Sequence, residues 1–133
     1  MRADSATELE VVAALDNFFE HLANQRLEEV LAAFAPDADV ALYGSEVSEV
    51  VIGADALRGF FERLFERPDG PRFAFRQRRL SSSGSVAWFV ADAEVTIGPH
   101  VASPYRLSGV LEKRGGRWLW LLFNGSEPQP NRT

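Results

Sequence analysis

Between Tyr105 and Pro128 two apolar-rich runs flank the dipeptide Gly115-Gly116. Two glycines in a row supply the positive φ angles that a two-residue hairpin turn demands. Arg114 and Arg117 stand at the turn mouth, where charged side chains stay wet. On strict alternation the second run puts Trp118, Trp120, Leu122 and Asn124 on one face and Leu119, Leu121 and Phe123 on the other. Both faces are mostly apolar, so the spacing predicts a strand covered on both sides and central in its sheet.

The rest of the chain divides by period. Ahead of residue 70 apolar residues recur at helical spacing; from Arg72 they alternate. Ser5-Ala6-Thr7-Glu8 has the spacing of a capping box and opens a helix running to about Asn24. Val11, Val12, Leu15, Phe18, Phe19 and Leu22 form its apolar face, with His21 on the polar side. A shorter helix turns Leu27, Val30, Leu31 and Phe34 inward and stops by Ala35, because Pro36 disfavours helical geometry in the residue before it. A strand at Val40–Tyr43, an acidic loop with a short strand at Val50-Val51-Ile52, and a third helix from about Asp55 to Glu66 follow. Pro68-Asp69-Gly70-Pro71 ends that helix.

Strands are then expected at Arg72–Leu80, Val86–Ile97 and on both arms of the hairpin, with loops at Ser81–Ser85 and Gly98–Pro104. In the first of these, Phe73 and Phe75 take one face and Arg72, Arg76 and Arg78 the other. Helices followed by an antiparallel meander imply an α+β fold, helices packed on one face of a curved sheet. At 133 residues the chain suits one domain, 1–133, ordered over roughly 5–128.

The order of elements resembles the nuclear transport factor 2-like superfamily and, more narrowly, a SnoaL-like domain. Phe34-Ala35-Pro36-Asp37-Ala38-Asp39-Val40 resembles that family's helix-to-strand passage, and Gly53-Ala54-Asp55-Ala56-Leu57 the start of its third helix. Val86-Ala87-Trp88, Arg106-Leu107-Ser108 and Trp118 through Ser126 resemble its central and closing strands. The resemblance implies a cone-shaped, cystatin-like half-barrel: a curved mixed or antiparallel sheet wrapped around three N-terminal helices. It also implies a deep apolar pocket at one end and homodimers through the outer face of the sheet. Leu122 and Asn124 stand where many relatives carry histidines, which removes the obvious proton carriers. Ketosteroid isomerases share the fold but need a tyrosine in the first helix and an aspartate on the first strand. This chain has neither there.

Polar groups on the long strand draw attention next. Asp92 and Glu94 share a face with Trp88 and Val90, and the expected register sets Glu94 opposite Arg106, with Arg72 nearby, and Asp92 opposite Ser108. One reading is an Arg–carboxylate cluster on the pocket floor, with Asp92 or Glu94 as catalytic base. In that reading Tyr43, Trp88, Arg106, Trp120 and Asn124 bind the ligand. The other is a set of cross-strand ion pairs on the outer face or in a dimer interface. A register error of one residue would exchange the two faces. His21 and His100 have no partner at catalytic or ligand spacing, and Glu127 could reach the pocket rim or solvate the C-terminus.

Composition trims the alternatives. With no cysteine, thiolate zinc sites and cysteine nucleophiles are excluded, and a cytoplasmic protein is expected. A net charge of −5 opposes nucleic acid, despite the stripe Arg72, Arg76, Arg78 and Arg79. No apolar run reaches the ~20 residues of a membrane span. The expectation is a protein that binds an apolar small molecule without metal or cofactor, with isomerase, cyclase or lyase chemistry of acid–base type. The alternative is a non-catalytic dimerisation or interaction module.

Overall fold

A computed structural model describes residues 1–132; Thr133, the last residue of the span read as one domain, lies outside the described residues. Helix α1 (Ser5–Ala23) is capped one residue earlier than expected. The Asp4 carboxylate accepts from the Thr7 amide at 2.8 Å, filling the place assigned to Ser5. Val11, Leu15, Phe18, Phe19 and Leu22 are buried along one side of α1. Helix α2 (Leu27–Ala32) and α3 (Ala54–Leu64) follow, α3 burying Leu57 and Phe61.

Strands β1 (Ala41–Tyr43), β2 (Val50–Ile52), β3 (Pro71–Ser83), β4 (Val86–Ile97), β5 (Ser103–Arg114) and β6 (Arg117–Ser126) form one sheet in the order β2-β1-β6-β5-β4-β3. β2 and β3 are its two edges, so the half-barrel stays open. Every neighbouring pair is antiparallel except β1 and β6, which run parallel. The β5–β6 turn has Gly115 at φ 55° and Gly116 at φ 79°, the pair of left-handed residues that the sequence predicts. β6 is central, as its two apolar faces imply.

Two departures from alternation decide which side chains face the helices. A bulge in β6 leaves Leu121 unpaired between the partners of consecutive β5 residues, since Val110 pairs with Leu122 and Leu111 with Trp120. One extra residue flips the alternation. Trp120 and Phe123 therefore both turn inward, and Asn124 does not share a face with Trp120. A second bulge lies between Phe75 and Gln77 in β3. It moves Arg78 to the helix side, where its Nη1 donates to Asp16 of α1 at 2.6 Å and its guanidinium lies 4.7 Å from the centroid of the Phe75 ring. The expected grouping of Arg78 with Arg72 does not survive that bulge.

Trp120, 1 % exposed, fills the narrow part of the cone. Its indole lies within 6.3 Å, centroid to centroid, of the rings of Phe18, Phe19, Phe34, Phe89 and Phe123. Gly109 on β5 admits it, since a Cβ there would lie 2.4 Å from the indole. Its backbone is held as well: Trp120 donates to the Ala33 carbonyl at 2.8 Å and accepts from the Ala35 amide at 2.9 Å. At the β3 edge, Met1 to Ala3 pair with Leu80 to Ser82, so ordered chain begins before Ser5.

Candidate functional site

The wide end of the cone is not filled. A cavity of about 370 Å³ opens there, within the size range of small-molecule sites. Phe18 and Leu22 of α1 back it, Phe60, Phe61 and Leu64 of α3 wall one side, and Leu42, Phe73, Val95 and Phe123 line it from the sheet. Alternation explains the sheet contribution: Leu42 is the buried residue of β1, Val95 that of the end of β4, and Phe73 pairs with Val95 across β3 and β4.

Polar groups cluster at the opening. Ser45, Glu46 and Glu49 come from the β1–β2 loop, Arg67 follows α3, His100 belongs to the β4–β5 loop, and Ser103, Tyr105 and Glu127 come from the ends of β5 and β6. The loop is held compact by three bonds: the Gly44 amide donates to the Glu49 carbonyl at 2.8 Å, the Glu49 amide to the Glu46 carbonyl at 2.9 Å, and the Glu46 amide to Glu49 Oε1 at 3.0 Å. The Glu49 side chain covers Gly44, where a Cβ would lie 2.4 Å from its Oε1.

Tyr105 is the polar group set deepest among these neighbours. Its ring meets Phe73 edge-on at 5.5 Å, and its hydroxyl sits over Gly125, where a Cβ would come within 2.5 Å of it. Burial pushes its pKa above the ordinary phenol value; the Ser45 hydrogen bond opposes that, and the carboxylates of Glu49, Glu127 and Glu46 add to it. At neutral pH Tyr105 is thus a neutral phenol, able to donate.

None of the seven residues chosen from sequence lines this cavity. Asp92, Glu94, Trp88, Arg106 and Asn124 lie on the outer face of the sheet, opposite the helices. Tyr43 also points outward, its partner positions being Val50 and Asn124, because Leu42 takes the inward place. Trp120 is core. The register differs by two residues from the one expected, Asp92 facing Arg106 and Val90 facing Ser108. Asp92 does meet Arg106, at 3.3 Å, but the two side chains are 54 % and 62 % exposed. Glu94 meets Arg76 at 3.4 Å rather than Arg72, which pairs with Thr96. These are wet cross-strand pairs, each contributing about 0–1 kcal/mol.

Sequence reasoning missed Tyr105. The signal was present, since Tyr105, Leu107, Gly109 and Leu111 alternate on one face of β5, but alternation does not say where that face runs out of filling. Glu127 does reach the opening, the first of the two places weighed for it, and His100 lines the opening too. Among the described residues no group of three His, Asp or Glu side chains is placed to hold a metal ion. No helix among them is long and apolar enough to cross a membrane.

Fold and cavity together define a class: an α+β half-barrel whose curved sheet closes on helices at one end and leaves a hollow at the other. The family model of the SnoaL-like domain matches residues 11–128, and the chain belongs to that family. Solved structures agree on the fold. A candidate dehydratase of the nuclear transport factor 2-like family from Streptomyces avermitilis superposes with a TM-score of 0.85 at 15% identity, covering 96% of this chain and 100% of that one. A nuclear transport factor 2-like protein of unknown function from Pseudomonas putida gives 0.82 at 16% identity, covering 94% and 89%. A candidate scytalone dehydratase from Novosphingobium aromaticivorans gives 0.76 at 14%, covering 93% and 85%. Among curated proteins none matches the chain.

Proposed function

We propose that the chain binds an apolar small molecule in the cavity between α1, α3 and the sheet, and that its polar end supports acid–base chemistry. The observation that carries this is the unfilled wide end of the cone: about 370 Å³ walled by phenylalanines and aliphatic side chains, with exposed polar groups and the half-buried Glu49 and Tyr105 also lining it. Tyr105, kept protonated, supplies a donor, and Glu46, Glu49 and Glu127 supply proton acceptors. A donor and a base facing one substrate are what a dehydration or isomerisation needs: the carboxylate takes a proton from carbon while the phenol protonates the departing hydroxyl, which leaves as water. The dehydratase designations of two structural relatives point the same way.

Uptake of N-phenylnaphthylamine, a neutral dye that brightens in apolar surroundings, tests the binding. The wild-type chain is expected to take up one dye per chain. Leu64→Trp, which crowds the cavity from α3, is expected to weaken uptake about tenfold or more at unchanged circular dichroism. No uptake, or uptake that ignores the substitution, overturns the reading.

A second copy of this chain is the partner that the outer face fits. Ile52, Ala41, Leu122, Val110 and Trp88 form one continuous apolar row across five strands, each paired with the next. Past the next row on that face, Val90, Ser108, Asn124 and Tyr43, the residues Gln77, Asp92, Arg106 and Ser126 form a polar row. An apolar band with a charged margin is the layout of a two-fold interface, its core dry and its rim wet. A non-catalytic dimerisation module is therefore the second reading, favoured by that row.

A further inference from the structure

The opening of the cavity is lopsided in charge. Three carboxylates, Glu46, Glu49 and Glu127, line it against one guanidinium, Arg67. None of these four belongs to an ion pair among the described residues. Glu49 is fixed in place by the Glu46 amide, so part of this negative field is built into the loop rather than carried on free side chains. Behind the opening, the rings of Phe60, Phe61, Phe73 and Phe123 present π surfaces.

We infer that the cavity selects an organic amine: an apolar body lies against the phenylalanines, and a protonated nitrogen sits at the opening among the carboxylates. This rests on the proposed use of the cavity as a small-molecule site and adds the sign of the ligand's polar end. Apolar walls bind any body of suitable size, so the discrimination comes from the opening. An ammonium there meets acceptors on the β1–β2 loop and at the end of β6, and aromatic faces tolerate a cation. A carboxylate there meets three like charges and has one guanidinium to oppose them. Tyr105 records the same field, since burial and all three carboxylates push its ionisation up.

Three probes of one shape separate the possibilities: naphthylmethylamine, naphthylmethanol and naphthoic acid, titrated calorimetrically into the full chain at neutral pH and low salt. The amine is expected to bind about tenfold tighter than the alcohol, with the acid weakest. Glu127→Gln and Glu46→Gln are each expected to lower amine affinity roughly threefold and to leave the alcohol unchanged, the signature of a charge effect rather than of misfolding. Equal binding of amine and alcohol, or a preference for the acid lost in Arg67→Gln, overturns the amine inference and leaves the pocket standing. Binding of none of the three overturns the pocket and the inference with it.

Discussion

Trp120 and Tyr105 have opposite situations, one sealed in the core and the other lining the cavity. Trp120 is sealed among five rings, and removing it leaves a hole that close-packed neighbours cannot collapse into. Trp120→Ala is expected to cost about 3–5 kcal/mol in urea unfolding, enough to remove much of a small domain's stability. Gly109→Ala strikes the same contact from the other side and is expected to cost about 1–3 kcal/mol by overpacking. Tyr105 makes a different prediction. Its folded pKa lies above the unfolded one, so the folded state holds this proton longer. Stability from this source is intact below the unfolded phenol value and declines as pH rises past about 10. Tyr105→Phe is expected to flatten that alkaline limb, read as melting temperature against pH.

Elements carry the lessons of pattern. The hairpin was legible because Gly115-Gly116 can do little else, and helix faces were legible because five or six apolar residues repeat at one spacing. The bulges were not. Nothing in Leu119-Trp120-Leu121-Leu122-Phe123 marks which residue is extra, since all are apolar and any register buries something. The candidate site was less legible than the fold for the same reason: alternation sorted the β4 and β5 side chains into two sets but could not say which set faces a hollow. Elements also meet through charge. Arg114, at the hairpin, donates from Nη1 and Nη2 to the two Asp37 oxygens at 2.8 and 2.6 Å, clasping the passage between α2 and β1. That bond lowers the Asp37 pKa, so its stabilisation is present above the unfolded carboxylate value and fades as pH falls through the folded one. Asp37→Asn is expected to lower the melting temperature by a few degrees at neutral pH, with the difference vanishing in acid. High salt is expected to shrink it.

Across the whole molecule, the apolar row on the outer face predicts association. Sedimentation of the wild-type chain at micromolar concentration is expected to show a dimer. Trp88→Arg, on a half-buried surface position, is expected to give a folded monomer. A monomeric wild type would leave that row unexplained and count against the second copy. Overall architecture followed from the order of helices and strands, because those periods are long-range averages that single bulges do not disturb.

The parallel pairing of β1 with β6 has a temporal side. Residues 41–43 lie alongside residues 122–124, so the first strand to leave the ribosome has only the short β2 to pair with until β6 has been made. Leu42 and Phe123, neighbours in the cavity wall, are the two ends of that wait. The helices can form early, but the hollow they help to enclose comes into being only once β6 has joined β1, which makes the cavity one of the latest features this fold acquires.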